Sequence, residues 1–233
     1  MTRLDLNADL GEGGPADGEL MRLVSSVNVC CAAHAGSATL SLATLRTAHE
    51  LGLAIGAHPG YPDRPRFGRV DLDLPPDSLA AELTYQVGGL SALAQSVPVS
   101  LRYLKPHGAL YHRAGRDPTV AQVVVAVAQR LGLAVMGMPG SQLAAAARGR
   151  VRFIAEGFAD RRYAPDGSLV PRSQADALLT DPAEALAQAR RLIASGVESL
   201  CFHGDTPDAV PFARQLRQAL LDSGLTIAPV PLD

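Results

Sequence analysis

Leu4-Asp5-Leu6-Asn7-Ala8-Asp9-Leu10 sets apolar and polar side chains on opposite faces of an extended chain. A strand at the surface of a sheet carries such a pattern harmlessly. A strand of a closed β/α barrel does not, because helices cover its outer face and claim the leucines. Asp5, Asn7 and Asp9 then point into the barrel. A buried carboxylate is costly unless it is paired, hydrogen-bonded or bound to a metal. The three residues are therefore candidate functional groups, with a structural polar network as the alternative. Glu12 follows on the adjoining loop and is positioned to act with them.

The rest of the chain repeats one theme, a short apolar run followed by a helical pattern. Strands are predicted over 3–9, 26–33, 53–57, 100–105, 133–138, 151–157, 198–203 and 226–230. Helices are predicted over 16–24, 38–51, 77–96, 118–131, 141–148, 182–195 and 207–223. Asp117-Pro118, Asp181-Pro182 and Thr206-Pro207 each set a capping side chain before a proline suited to the first helical position. Regular alternation of this kind means a parallel sheet covered by helices. Seven or eight units in 233 residues fit an irregular closed barrel, a single domain over 1–233, better than an open dinucleotide-binding sheet. No Gly-x-Gly-x-x-Gly follows the first strand. Two aperiodic stretches, 58–76 and 157–180, directly follow strands and so belong at the C-terminal face, where barrel active sites lie.

Composition narrows the function. The formal net charge of −2 argues against a nucleic-acid binder, which would carry a basic stripe. No apolar run is long enough to span a bilayer, and the N-terminus turns acidic without a signal-peptide core, so a cytoplasmic protein without a membrane partner is expected. The three cysteines, two of them adjacent (Cys30 and Cys31), form neither a disulfide framework nor a zinc spacing. Cys31 and Cys201 lie in apolar runs, which disfavours a nucleophilic cysteine.

Four of the six histidines end a predicted strand: His34, His58, His107 and His203. In a barrel these ends converge on one rim. With Asp5, Asp9, Glu12 and Asp205 they make a site able to hold a divalent metal or to move protons. Asp9, His34 and His58 are the candidate ligands. His49 and His112 are expected to be peripheral. The only lysine, Lys105, stands in Lys105-Pro-His-Gly-Ala-Leu-Tyr111, while every other long cationic side chain is arginine. It is either a fixed cation or a lysine of lowered pKa used in proton transfer. In the loop after the sixth strand, Arg161 and Arg172 flank a Pro-Asp-Gly turn and are able to fork onto a carboxylate or phosphate. The chain has no P-loop.

These residues carry a resemblance that runs almost end to end. Asp5-Leu-Asn-Ala-Asp-Leu-Gly-Glu12, Asn28 with His34-Ala-Gly36, Gly56-Ala-His-Pro-Gly-Tyr-Pro-Asp63, Phe67-Gly-Arg69, Lys105 to Tyr111, Glu156 to Arg172, and His203-Gly-Asp-Thr-Pro207 resemble the family of 5-oxoprolinase A subunits, the lactam-utilisation proteins. The resemblance implies an irregular TIM-like barrel of the glycoside hydrolase/deacetylase type. It implies hydrolysis of 5-oxo-L-proline to L-glutamate coupled to ATP hydrolysis, with ATP as co-substrate of a complex that includes B and C subunits. Asp5, Asp9, Glu12, His34, His58, Lys105 and His107 become the candidate catalytic set. Asn7, Asn28, Tyr111, Glu156, Asp160, Arg161, Arg172, His203 and Asp205 become candidate substrate contacts. A homo-oligomer and a divalent metal are compatible with this. The alternative is a metal-dependent amidohydrolase or deacetylase acting on a carbohydrate or lactam. The family pattern Cys-Gly-Phe-His-Ala-Gly-Asp reads Cys31-Ala-Ala-His-Ala-Gly-Ser37 here, which leaves Ala33 and Ser37 as departures.

Overall fold

The computed structural model describes residues 3–172, 174–202, 204 and 208–232. Seven parallel strands close into a barrel: β1 (Arg3–Leu10), β2 (Ser26–Cys30), β3 (Ala54–His58), β4 (Tyr103–Leu104), β5 (Ala134–Gly137), β6 (Phe153–Phe158) and β7 (Ser199–Phe202), with β7 and β2 both pairing to β1. The outer faces of β1 to β3 carry Leu4, Leu6, Ala8, Leu10, Val27, Val29, Ile55 and Ala57, all buried in the main apolar core. Fully burying a Leu, Val or Ile contributes about 1.5–3 kcal/mol, so outward apolar residues fix the register and force their polar neighbours inward. Asn7 lies opposite Ser26 and Cys201, Asp9 opposite Asn28, and Cys30 opposite His58.

The predicted eighth strand forms but lies outside this ring. β8 (Thr226–Ile227) pairs with Arg3 and Leu4 at the start of β1. The chain beyond it carries Val230 and Leu232 into a cluster with Tyr103, Ala134, Met136 and Ile154, which closes the lower end of the barrel. Gly56 makes room for this arrangement: a Cβ there would stand 2.1 Å from the Tyr103 ring.

The helices are α1 (Asp17–Leu20), α2 (Ala38–Glu50), α3 (Pro76–Gln95), α4 (Gly108–Arg116), α5 (Pro118–Arg130), α6 (Gln142–Ala147), α7 (Pro182–Ala194) and α8 (Ala209–Asp222). Asp117 accepts from Thr119 N and Asp181 from Ala183 N, both at 2.9 Å, so two of the expected caps form; Thr206 and Pro207 lie outside the described residues. Helix α1 is one turn long, shorter than the expected 16–24. Helix α4 is the element that periodicity did not mark. It begins immediately after Pro106 and His107, contains two glycines, and spans nine residues. The second strand stops at Cys30, short of the expected residue 33, because the chain turns at Ala32 in a left-handed conformation (φ 62°). Arg64 holds that turn by donating to Ala32 O (3.0 Å), Ala35 O (3.1 Å) and Gly36 O (2.8 Å). No helix among the described residues is long and apolar enough to cross a membrane.

Candidate active site

The polar residues inside the barrel form layers. Lowest is Asp5, whose carboxylate accepts from Ser25 Oγ and Ser26 Oγ (2.6 Å each) and from Ser199 Oγ. Burial pushes its carboxyl up, and the three hydroxyl bonds oppose that shift. Above it, Asn28 Nδ2 bridges Asn7 Oδ1 and Asp9 Oδ1, each at 2.7 Å. Next comes Lys105, 2% exposed, with Asp9 Oδ1 at 2.9 Å and Glu156 Oε1 at 2.7 Å. Asn7 Oδ1 and Cys201 Sγ lie 3.2 Å from the same ammonium. Burial alone would lower the Lys105 pKa, but Asp9 and Glu156 outweigh it and hold the ammonium well above its ordinary value. Of the two roles open from sequence, the geometry supports the fixed cation. Burial keeps Cys201 a neutral thiol and pushes Cys30 up to about 12, so neither is an activated nucleophile.

At the top, three imidazoles gather on Glu12. Its Oε1 lies 3.0 Å from His34 Nε2, 3.2 Å from His107 Nδ1 and 3.8 Å from His58 Nε2. Burial pushes the Glu12 carboxyl up, yet the contacts with His107, His34 and His58 prevail and hold it well below the usual range. His34 stacks on His107 at 3.7 Å between centroids and 4° between planes. Burial pushes the His34 pKa down to about 4. Gly68 permits this stacking: it adopts φ 62°, and a Cβ there would stand 2.8 Å from His34 Cβ.

The same cluster suits a divalent metal. His58 Nδ1 faces Lys105 O at 2.8 Å, and His107 Nε2 faces Phe67 O at 2.9 Å. A carbonyl only accepts, so those nitrogens carry the protons. The inner nitrogens, His58 Nε2 and His107 Nδ1, approach to 3.1 Å; burial would lower the His58 pKa, but Asp9 and Glu12 outweigh it and raise it, so a proton on His58 Nε2 is able to bridge the pair. Nitrogen ligands on one tetrahedral zinc stand about 3.3 Å apart. One ligand atom from each of Glu12, His34, His58 and His107 lies within 4.8 Å of the others. The His34 atom on the cluster side is Nε2, 3.0 Å from Glu12 Oε1, while its unpartnered Nδ1 faces Gly60. The donor set overlaps the expected one in His34 and His58. It replaces Asp9 with Glu12 and His107, while Asp9 Oδ2 remains 3.4 Å from His58 Nε2.

This floor opens into a cavity of about 550 Å³. Asp9, Glu12, His58, Lys105 and His107 line it from below, and Tyr111, Arg161 and Arg172 from the side. Both aperiodic stretches contribute, through Phe67 and Arg69 and through Leu169 to Arg172. Asp5, Asn7, Asn28 and Glu156 lie beneath the floor, and His34 lies behind His107. Asp160 sits at the root of the long loop, where its carbonyl accepts from Leu179 N (2.9 Å). Arg161 bonds the carbonyls of Val170 (2.8 Å) and Ala177 (3.4 Å), which ties that loop together. His203 and Asp205 lie outside the described residues. His49 is exposed on α2, as expected. His112 is not peripheral: it lines the cavity, because α4 follows Lys105 directly and carries its first turns along the rim.

Sequence reasoning missed two buried glutamines that brace the rim. Gln86 of α3 donates to Gly60 O (2.8 Å) and accepts from Gly60 N (3.0 Å). Gln188 of α7 donates to Phe158 O (2.8 Å) and Arg161 O (2.7 Å). Their signal was a long amide on the buried face of an amphipathic helix. Ser37 caps α2 by accepting from Leu40 N (3.2 Å), a job an aspartate does equally well, which accounts for that departure from the family pattern.

The family described as LamB/YcsF matches residues 4–232. The chain belongs to this family. The A subunit of a 5-oxoprolinase from Neisseria meningitidis serogroup C is 41% identical over 244 residues, covering 98% of this chain and all of that one. A lactam utilization protein of known structure from Thermus thermophilus superposes with a TM-score of 0.90 at 35% identity, covering 98% of this chain and 100% of that one. A family 4 carbohydrate esterase from Streptomyces lividans, determined with acetate, shares the fold alone: TM-score 0.54 at 11% identity, covering 99% and 93% of the two chains. Within the LamB/YcsF family the barrel is thus the TIM-like kind expected from the strand pattern, closed here by seven strands.

Proposed function

We propose that this chain is the subunit of an ATP-dependent 5-oxoprolinase that opens the lactam ring of 5-oxo-L-proline, working with B and C subunits. The observation that carries the reading is the joining, on one cavity floor, of ionised carboxylates, imidazoles and a fixed ammonium in a chain aligned end to end with the A subunit of a 5-oxoprolinase. The lactam is an unstrained amide, so hydrolysis needs activation. Transfer of the ATP γ-phosphoryl group to the lactam oxygen, with release of ADP, makes the carbonyl carbon electrophilic. Water then adds to that carbon, the C–N bond breaks as the ring nitrogen takes a proton, and a second water hydrolyses the resulting acyl phosphate to L-glutamate and phosphate.

Asp9 and Glu12 face the cavity and are the candidate bases for the attacking water. Of the imidazoles, His58 faces the cavity beside both acids and is suited to relay the proton. Lys105 supplies fixed positive charge to the oxygen that becomes anionic. Phe158 and Leu169 offer an apolar wall to the ring methylenes, and Arg172 is suited to the substrate carboxylate. The test is to combine the chain with its partner subunits, 5-oxoproline and ATP, and to measure glutamate and ADP. Formation of both only in the full mixture is expected; neither product in any mixture would sink the reading.

The gathering of ligand atoms from Glu12, His34, His58 and His107 within 4.8 Å of one another favours a second reading, a metal-dependent hydrolase acting on a lactam or carbohydrate amide. A divalent ion held by Glu12, His34, His58 and His107 would supply Lewis-acid activation of a carbonyl. Metal content of the purified chain, with turnover measured before and after chelation, separates the two. Loss on chelation without any need for ATP supports the second.

A further inference from the structure

Asp5 is too deep to touch a substrate, yet it is joined to the cavity floor by a chain of hydrogen bonds whose direction is fixed at both ends. Lys105 only donates, so the Asn7 atom 3.2 Å from its Nζ is the amide oxygen. The Asn7 amide nitrogen therefore faces Ser199 Oγ, at 2.8 Å, and Ser199 accepts. The single Ser199 proton is left for Asp5, which takes it on Oδ2. Asp5 Oδ1 is already filled by Ser25 and Ser26 (2.6 Å each), so the carboxylate has one arrangement.

We infer that Asp5 is a positioning residue for Lys105: through Ser199 it holds the Asn7 amide so that an oxygen, not an NH2 group, meets the ammonium at the cavity floor. An amide in place of the Asp5 carboxylate can donate to Ser199, which turns the serine proton toward Asn7. The Asn7 amide then flips and sets its NH2 group against both Lys105 Nζ and Asn28 Nδ2, which now donates to Asn7 Oδ1 at 2.7 Å.

Because Lys105 is the only lysine, 15N-lysine labelling of the full chain yields one ammonium resonance to follow. Asp5→Asn and Ser199→Ala should both displace it, Ser199→Ala doing so with the Asp5 charge intact. Adding Asn7→Asp to Asp5→Asn gives Lys105 an oxygen in either orientation and should return the resonance toward its original position. In the assembled complex, kcat for ring opening should fall about 10- to 100-fold in both single variants, with KM nearly constant, and recover in the double variant. An unmoved resonance in Ser199→Ala overturns the relay, since any effect of Asp5→Asn would then be the field of a lost charge. Should Asp5→Asn fail to fold, Ser199→Ala with and without Asn7→Asp carries the same test. The kcat arm rests on the ring-opening reading. If the unaltered complex makes no glutamate, that reading fails while the resonance still decides the relay.

Discussion

At the lower end of the barrel interior, Asp5 meets three hydroxyl donors and every oxygen is used. At the upper end, Glu12 meets three imidazoles, of which His58 and His107 approach each other at 3.1 Å. Asp5 is fully buried, whereas Glu12 keeps 16% of its side chain exposed. The lower one is a closed set of donors and acceptors, sealed beneath by Val230 and Leu232. The upper one opens on the cavity beside Asp9 and Lys105. Access to the cavity is what separates the two ends, since Glu12 lines it and Asp5 does not.

Lys105 joins the two halves, so its replacement should have the largest effect. Lys105→Met leaves Asp9 and Glu156 buried without their cation and should cost about 3–5 kcal/mol of stability, read by denaturant unfolding. Lys105→Arg keeps the charge but not the shape, because a planar fork does not fit among four partners around a compact ammonium. It should fold better than Lys105→Met and still lose turnover; full turnover in Lys105→Arg would remove Lys105 from the chemistry. Next is Glu12→Gln. It should lower turnover about 100-fold or more and also lower the unfolding midpoint at neutral pH, because the ionised carboxylate that three imidazoles hold well below its usual range is lost. If a divalent ion occupies the cluster, zinc or manganese titrated into the unaltered chain should raise Tm, and Glu12→Gln should diminish that rise.

The upper and lower ends also differ in how far sequence reading reached. Alternation in β1 was enough to aim Asp5, Asn7 and Asp9 inward, and repetition of His at strand ends was enough to gather His34, His58 and His107. Depth was not legible. Asp9 stands nearer the C-terminal end of β1 than Asp5, but how far down that strand the cavity floor lies follows from the side chains that all seven strands pack into the barrel. The closing of the lower end by the C-terminal segment was equally hidden, since Val230 and Leu232 read as an ordinary apolar strand. Helix α4 and the placement of His112 escaped because the helix is short and glycine-bearing, leaving too few turns for periodicity. The family resemblance supplied the expected chemistry, whereas the bracing glutamines and the Glu12-centred cluster came from side-chain contacts.

Ser26→Ala should break the comparison from below. It removes one of the two donors on Asp5 Oδ1 but leaves the Ser199–Asn7 relay intact. The expected cost is about 1–3 kcal/mol, the range for leaving a buried acceptor short of a partner, with turnover retained. Together with Glu12→Gln it separates the two ends, since Ser26→Ala should lower stability alone whereas Glu12→Gln should lower turnover as well as stability. Equal losses in both measures for both variants would mean that the two ends are one coupled unit.

The smallest effect belongs to a position at the rim that has no part in this contrast. Ser37 touches the site only by starting α2, where its hydroxyl accepts from Leu40 N. Ser37→Ala should cost about 1 kcal/mol, the usual value of a lost N-cap, and Ser37→Asp should be neutral or slightly stabilising, because an acid also favours a helix N-terminus. Thermal melts with parallel turnover assays check this. The aspartate belongs to the family pattern, so a large gain in turnover from Ser37→Asp would mean that it does more than cap a helix. A change confined to Tm would mean that the rim tolerates this departure because capping, not chemistry, is what the position supplies.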